Sequence, residues 1–282
     1  MQTDKNNLKA LGAAKVDYKD QYDPSQLERI ERDPRRESYT APMNGADIWT
    51  AFEVSYLTPN GLPYFLVLRI MTDAKSPFIF ESKSLKLYLN SFNNTIVENT
   101  KELIKTIEKD LTEVAGAKVF AKEITQFKRG KDLYTQSSSR LENICRFTET
   151  KNYQYDPTLL KTVDSRFPNV ESTFYTDLLR SNCEITNQPD WGRVFVSYTT
   201  NKVELIPESF LKYIVSFRNH QEFHEPTCER IYNDLFELLQ PKKLLVLCQY
   251  TRRGGIDINP VRYTHEGMLN INLIDLPKIL QQ

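Results

Sequence analysis

The stretch LLRSNCEITNQPDWG, residues 178–192, sets one cysteine, Cys183, seven positions before an aspartate, Asp190, among polar and turn-forming residues. A thiol that is partly exposed, with a base or a positive charge nearby, is a nucleophile. A neighbouring carboxyl can supply the proton such a reaction needs, provided its surroundings raise its pKa. The plain alternative for a lone cysteine is an inert, small core hydrophobe. The residues by themselves imply a candidate thiol enzyme, with Cys183 as nucleophile and Asp190 as proton source, and go no further.

Three other places gather side chains of chemical type. NHQEFHEPTCER (219–230) holds His220, His224, Glu225 and Cys228. On one continuous helix face these would suit a metal, but Pro226 marks a helix start, which takes His220 off that face, and no metal is expected. His224 and Glu225 then lie at a helix N-terminus, where Glu225 either answers the dipole as a cap or points into a cleft. ESKSLKLY (81–88) puts Ser82 and Lys83 at a helix start, whose free N–H groups and dipole favour a phosphate. Lys83, Lys86 and Asn90 are equally what a solvated helix face carries. In YTRRGGIDINP (250–260), Arg252 and Arg253 precede a glycine pair that either lets backbone approach a ligand or makes a hairpin turn. Neither GxGxxG nor GxxxxGKS/T occurs, so a dinucleotide would be held without a Rossmann or P-loop.

These residues need a scaffold, and 282 residues are enough for two modest domains or one large one. The 37 basic and 37 acidic side chains balance, so no global field draws the chain to nucleic acid or an anionic membrane. No apolar run exceeds strand length and the first residues carry no signal-peptide core, so a cytoplasmic protein is expected. Four cysteines without CxxC spacing argue against a disulfide framework or a zinc ribbon.

Residues 1–45 read as a polar N-terminal arm with little core of its own. DIWTAFEVSYL then alternates, with Ile48, Phe52, Val54 and Tyr56 on one strand face. LPYFLVLRIMT is a second strand. Leu85, Tyr88, Leu89 and Phe92 form a helix stripe, and Asn99 with Glu102 opens another helix, with Leu103, Ile107, Leu111 and Val114 in its stripe. AKVFAKEIT is a strand. The second half repeats the order: two strands around Cys183, a helix from Pro207, a helix at EPTCERIYNDLFELLQ, then KKLLVLCQY and GGIDINPVRYT as strands. Strand–strand–helix–helix–strand–strand twice predicts an α+β fold of antiparallel sheets with helices on one face. The expected units are 46–150 and 151–282, with a variable segment at about 126–168. Open sheet edges lead us to expect a homo-oligomer.

With these residues set out, the chain resembles the NADPH-dependent 7-cyano-7-deazaguanine reductases, the nitrile reductases of queuosine (tRNA modification) biosynthesis. ESKSLKLYLNSF fits that family's cofactor signature. LLRSNCEITNQPDWG, YIVSFRNHQEFHE, CERIYNDL and YTRRGGIDINP match in register, covering most of 45–125 and 170–262 in the order of the long, two-repeat form. The arm and the 126–168 segment carry no motif. The resemblance implies tandem tunnelling folds (T-folds) like that of GTP cyclohydrolase I, a homodimer, and no direct nucleic-acid or membrane partner. It implies four-electron reduction of 7-cyano-7-deazaguanine to 7-aminomethyl-7-deazaguanine, with NADPH used twice per turnover and no metal.

The resemblance also implies roles. Cys183 matches the thiol that adds to the nitrile carbon as a thioimide, and Asp190 the proton donor to the nitrogen. Phe80, Glu81, Ser82, His224 and Glu225 match substrate contacts, Glu225 with His224 reading the guanine-like edge. Ser82, Lys83, Arg253 and Gly254 match NADPH contacts. Thr227 stands where relatives carry a cysteine, and Cys228 receives no role. The rival readings are another T-fold pterin or purine enzyme, which would need neither ESKSLKLY nor RRGG, and a non-catalytic deazapurine-binding module, which would tolerate loss of Cys183.

Overall fold

A computed structural model describes residues 18–126, 138–268, 276–279 and 282. Its elements run β1 (Arg29–Glu31), β2 (Asn44–Leu57), β3 (Pro63–Asp73), β4 (Phe78–Phe80), α1 (Ser82–Asn90), α2 (Thr100–Ala115) and β5 (Val119–Glu123). There follow β6 (Ser139–Arg140), α3 (Leu141–Ile144), β7 (Thr162–Asp164), β8 (Glu171–Asn182), β9 (Pro189–Thr199), β10 (Val203–Leu205), α4 (Pro207–Ser216), α5 (His224–Leu239), β11 (Lys243–Tyr250) and β12 (Ile256–Tyr263).

The fold is of the expected α+β class. Among the described residues, eight strands form one sheet in the order β5-β3-β2-β12-β11-β9-β8-β6. All neighbours are antiparallel except the short β6 on β8. The two halves therefore share one sheet, joined where β12 pairs with β2 from Ile256↔Ala51 to Tyr263↔Asn44. Helices cover one face. Leu85, Tyr88, Leu89 and Phe92, with Leu103, Ile107 and Leu111, pack on Trp49, Val54, Leu66, Leu68 and Ile70. Phe210, Leu211, Ile214 and Phe217, with Cys228, Ile231 and Leu235, pack on Val194, Val196, Leu244 and Val246. On the opposite face Ile48, Phe195, Leu245, Leu247 and Val261 are closed over by Leu276.

Three sequence expectations change. The alternation of β2 is interrupted by a bulge between Ala51 and Val54. An extra residue reverses side-chain parity, so Ile48 lies in the cluster opposite the helices while Val54 and Tyr56 lie under them. In the first half the helix pair is followed by β5, and the next described strand, the short β6, joins the sheet beside β8 of the second half rather than beside β5; part of the 126–168 segment, residues 127–137, lies outside the described residues.

The third change concerns the arm. Residues 18–43 are tied into the first half by a pattern that residues 153–165 repeat in the second. The Tyr22 and Tyr88 hydroxyls donate to Asp110 Oδ2 at 2.8 and 2.7 Å. Those of Tyr155 and Tyr213 donate to Asp234 Oδ2 at 2.8 and 2.5 Å. The Asp23 N–H donates to Ser91 Oγ at 3.1 Å, and the Asp156 N–H to Ser216 Oγ at 3.2 Å. β1 pairs with β4 as β7 pairs with β10. Each half thus opens with a strap laid across its first helix, and QYDP, at 21–24 and again at 154–157, is its sequence mark. The correspondence continues into the sheet. Leu57, the last residue of β2, bridges in parallel to Ile96, and Asn182, the last of β8, bridges to Gln221.

Candidate active site

A cavity of about 270 Å³ opens where the β8–β9 hairpin, the start of α5, the β11–β12 turn and the start of α1 meet. Of the residues singled out from sequence, Phe80, Ser82, Lys83, Cys183, Asp190, His224, Glu225, Arg253 and Gly254 all line it. They come from both halves of the chain, brought together by the β2–β12 junction.

Cys183 follows the last residue of β8 and is half-buried. Its loop is closed by the Cys183 N–H on the Gln188 carbonyl (2.8 Å) and the Asn187 N–H on the Cys183 carbonyl (2.9 Å). Asn187 adopts the left-handed conformation, φ 55°, which asparagine tolerates. Asp190 stands on the returning strand opposite Ser181. The spacing of seven is thus the span of one hairpin loop. The strand end is pinned from outside, since the Asn182 N–H donates to the His220 carbonyl (2.8 Å) and the Glu222 N–H to the Asn182 carbonyl (3.1 Å). Glu222 is in turn gripped by Arg230 at 2.7 Å, His220 at 3.0 Å and Arg35 of the strap at 2.6 Å. Burial alone would raise its pKa; His220 and Arg230 hold it below the usual carboxylate range.

Asp190 is buried between the Arg253 guanidinium, in direct contact with Oδ1, and His224 Nε2, 3.3 Å from Oδ2. The raised pKa that a preloaded acid requires is not what this setting gives. Burial acts upward, but the hydrogen bond from His224 and the Arg253 guanidinium outweigh it and hold Asp190 below its ordinary value. At neutral pH the free protein therefore presents a carboxylate.

His224 stacks on Tyr250 with ring centroids 3.7 Å apart and planes within 6°. Its Nδ1, like Oε1 of Glu225, has no hydrogen-bond partner among the described residues. Both atoms are buried, and a polar atom left so is costly unless a ligand completes it. Glu225 is pushed up to about 8, first by burial and then by Asp47, while Arg32 and Arg262 act downward. The helix begins at His224 with Pro226 in its first turn. Cys228 faces away, its Sγ donating to the Pro260 carbonyl at 3.4 Å. Among the described residues no cluster of His, Cys, Asp and Glu is arranged to hold a metal.

The cofactor side differs from expectation in one respect. Glu81, fully buried, is the N-cap of α1, and its carboxylate accepts from the N–H groups of Lys83 (2.8 Å) and Ser84 (2.6 Å). The amides expected to meet a phosphate are already held by an anion of the chain's own. Glu81 does not line the cavity. Ser82, Lys83, Lys86 and Arg253 line the cavity, and theirs are the side chains that an anion placed there would meet. Gly254 (φ 57°) sits where an added Cβ would come within 3.4 Å of Lys86 Cδ, and Gly255 (φ 84°) where one would strike the Glu53 carboxylate. This turn needs glycine to bring Arg253 onto Asp190.

The walls carry no sequence signal of their own: Trp49, Ile79, Phe223, Ile256 and Ile258, with Thr186 and Thr251 at polar positions. Phe80 meets Trp49 edge to face, centroids 5.7 Å apart. Apolar residues in alternating strands give no hint of which face lines a site. They make a slot for a flat ring.

A family described as "Nitrile reductase, 7-cyano-7-deazaguanine-reductase N-term" matches residues 18–122, and one described as "QueF-like protein" matches residues 189–268. The NADPH-dependent 7-cyano-7-deazaguanine reductase of Cupriavidus metallidurans is 42% identical over 254 residues, 87% of this chain and 89% of its own. The protein of the same name from Acinetobacter baumannii is 43% identical over 259 residues, 90% and 92% of the two chains. Among solved structures, an apo archaeosine synthase QueF-Like is 20% identical, with TM-score 0.31, over 36% of this chain and 96% of its own. Identity at the level of the two reductases, sustained across most of both chains, leaves one assignment: this chain belongs to the family of the NADPH-dependent 7-cyano-7-deazaguanine reductases.

Proposed function

We propose that the chain reduces the nitrile of 7-cyano-7-deazaguanine to a primary amine, with Cys183 as covalent nucleophile and Asp190 as proton relay. The observation that carries this reading is one cavity holding a half-buried thiol, a charged carboxylate and a buried, unpartnered Glu225 oxygen. The ring lies in the apolar slot, and Glu225 accepts from its N–H groups as acidic side chains do at base edges. Sγ bonds to the cyano carbon as one π bond of the nitrile opens. The thiol proton passes to the Asp190 carboxylate and from there to the nitrogen, so addition is proton-neutral and needs no preloaded acid. His224 and Arg253 hold Asp190 in place.

Ser82, Lys83, Lys86, Arg253 and the backbone at Gly254 suit the phosphates of NADPH, and the glycine leaves room for close approach. NADPH, when bound, supplies hydride, and a four-electron reduction of nitrile to amine requires two per turnover. Loss of reduced-nicotinamide absorbance on adding the nitrile, two per amine formed, tests the reading; no loss would end it.

Labour is divided between two units. We place the first from about residue 18 rather than 46, since the strap belongs to it, and give it the cofactor-binding start of α1. The second supplies Cys183, Asp190, His224 and Glu225. The partner is a second copy of the chain, meeting it at the sheet's two ends, β5, where Phe120 is exposed, and the short β6 with the part of β8 it leaves unpaired. No described helix is long and apolar enough to cross a membrane. The reading places the protein in the cytoplasm.

A pH dependence follows from Glu225. Its carboxyl is raised to about 8 in the free protein, and the bound ring requires the carboxylate. Below that pH, binding must release about one proton, and affinity falls about tenfold per pH unit. Isothermal titration in buffers of different ionisation enthalpy reads the released proton directly. Glu225→Gln should bind more weakly at high pH and show no such release.

A further inference from the structure

Behind Glu225 lies a buried charge network that catalysis does not use. Arg32 of the strap donates from one terminal nitrogen to Asp47 Oδ2 at 2.6 Å and Ser76 Oγ at 2.8 Å. The other terminal nitrogen is 3.5 Å from Glu229 Oε1. Arg36 Nε is 3.1 Å from Glu229 Oε2. Arg262, fully buried, reaches Asp47 Oδ1 at 2.8 Å and Glu229 Oε1 at 2.6 Å. Two carboxylates are shared by three guanidiniums. Glu229 lies four residues after Glu225 on α5, hence one turn along the same face. The charge of Asp47 on β2 acts upward on the Glu225 carboxyl and those of Arg32 on the strap and Arg262 on β12 act downward, with His224 next to it on its own helix.

The chain carries its own control for what the strap itself requires. The first bond beyond β1 is the Arg32 N–H on the Pro77 carbonyl (3.2 Å), and beyond β7 it is the Ser165 N–H on the Lys202 carbonyl (2.8 Å). The backbone path is the same, yet only the strap that reaches the site bears an arginine. Holding a strap does not need that charge.

We propose that Arg32 is a positioning residue for the substrate: it is the cation beyond the two that match Asp47 and Glu229 in charge, so that Glu225 can become a carboxylate when the ring's N–H groups arrive. The inference rests on the reading of Glu225 given above. Removing Arg32 leaves two guanidiniums for Asp47 and Glu229, with none in excess to answer a third carboxylate, and makes the ionisation of Glu225 harder. Removing the charge of Asp47 makes it easier. A merely structural network would weaken binding in both cases, equally at every pH.

The test measures binding of 7-cyano-7-deazaguanine to the full chain by titration calorimetry from about pH 6 to about pH 9. A Cys183→Ala background keeps the equilibrium non-covalent. Arg32→Met is expected to bind about tenfold more weakly near neutral pH, the deficit closing as pH rises. Arg32→Lys, which keeps the charge, should restore most of the affinity. Asp47→Asn should shift the profile the other way, toward tighter binding at low pH. Should Arg32→Met not fold, the downward shift in Asp47→Asn decides by itself. A deficit independent of pH, or displacement of both profiles in one direction, overturns the proposal. A flat profile in the Cys183→Ala parent removes Glu225 from ring binding, and the proposal with it.

Discussion

Cys183→Ala should abolish turnover while leaving the ring to bind. Intact-protein mass spectrometry after mixing with the nitrile, without reductant, should show a mass increase equal to the whole nitrile in the unaltered protein and none in the variant. The size of the effect follows from chemistry. A nitrile is a modest electrophile, and a covalent C=N adduct is what turns it into a hydride acceptor. No other cysteine can substitute: Cys228 and Cys248 are buried in the core under α5, and Cys145 does not line the cavity. The loop that carries Cys183 is closed by backbone bonds rather than by its side chain, so alanine disturbs the fold little. An adduct of the same mass in the alanine variant would remove the thiol from the reaction. Unchanged binding with no adduct in either protein would favour a module that only sequesters the deazapurine.

Asp190→Asn is expected to slow adduct formation by about 10² to 10⁴. An amide can still accept from Arg253 but cannot take the thiol proton and hand it to the nitrogen. The pH profile separates Asp190 from Glu225. Because His224 and Arg253 hold Asp190 below its ordinary value, the carboxylate survives well into acid, and its contribution is lost only as pH falls through that low range. The fall in adduct yield between about pH 8 and about pH 6 at limiting nitrile therefore belongs to Glu225. Saturating nitrile should suppress that limb and leave the Asp190→Asn deficit in place. Unchanged adduct kinetics in Asp190→Asn would take the residue out of the mechanism.

Much of this is legible in the order of the residues. Stripes such as Leu103, Ile107 and Leu111 are a local consequence of helix period, and they are the residues buried under α2. The Asn99 cap is equally local, its Oδ1 accepting from the Glu102 N–H at 3.1 Å. Cys183 and Asp190 lie on one hairpin, so their meeting can be read from spacing. The rest depends on partners distant in the chain. Nothing near Asp190 says that His224, and Arg253 63 residues away, will sit on it and together reverse the direction of its pKa. The acidic residue of ESKSLKLY invites a ligand role, but the start of α1 claims it as a cap. The bulge in β2 cannot be told from an unbroken alternation. The strap is a different case: QYDP twice is a visible signal, but so short a repeat outside any apolar pattern carries little weight alone.

The matched straps and matched strand ends have a last consequence. Thr58 follows Leu57 as Cys183 follows Asn182, and α2 opens with Thr100 and Lys101 where α5 opens with His224 and Glu225. The equivalent corner of the first half thus has neither sulfur nor carboxylate at those places. The two halves are structural twins that differ in what they carry: the second has the thiol and the carboxylate at these places, the first the lysine-bearing opening of α1. Neither twin could be exchanged for the other, and titration with the nitrile should saturate at one equivalent per polypeptide.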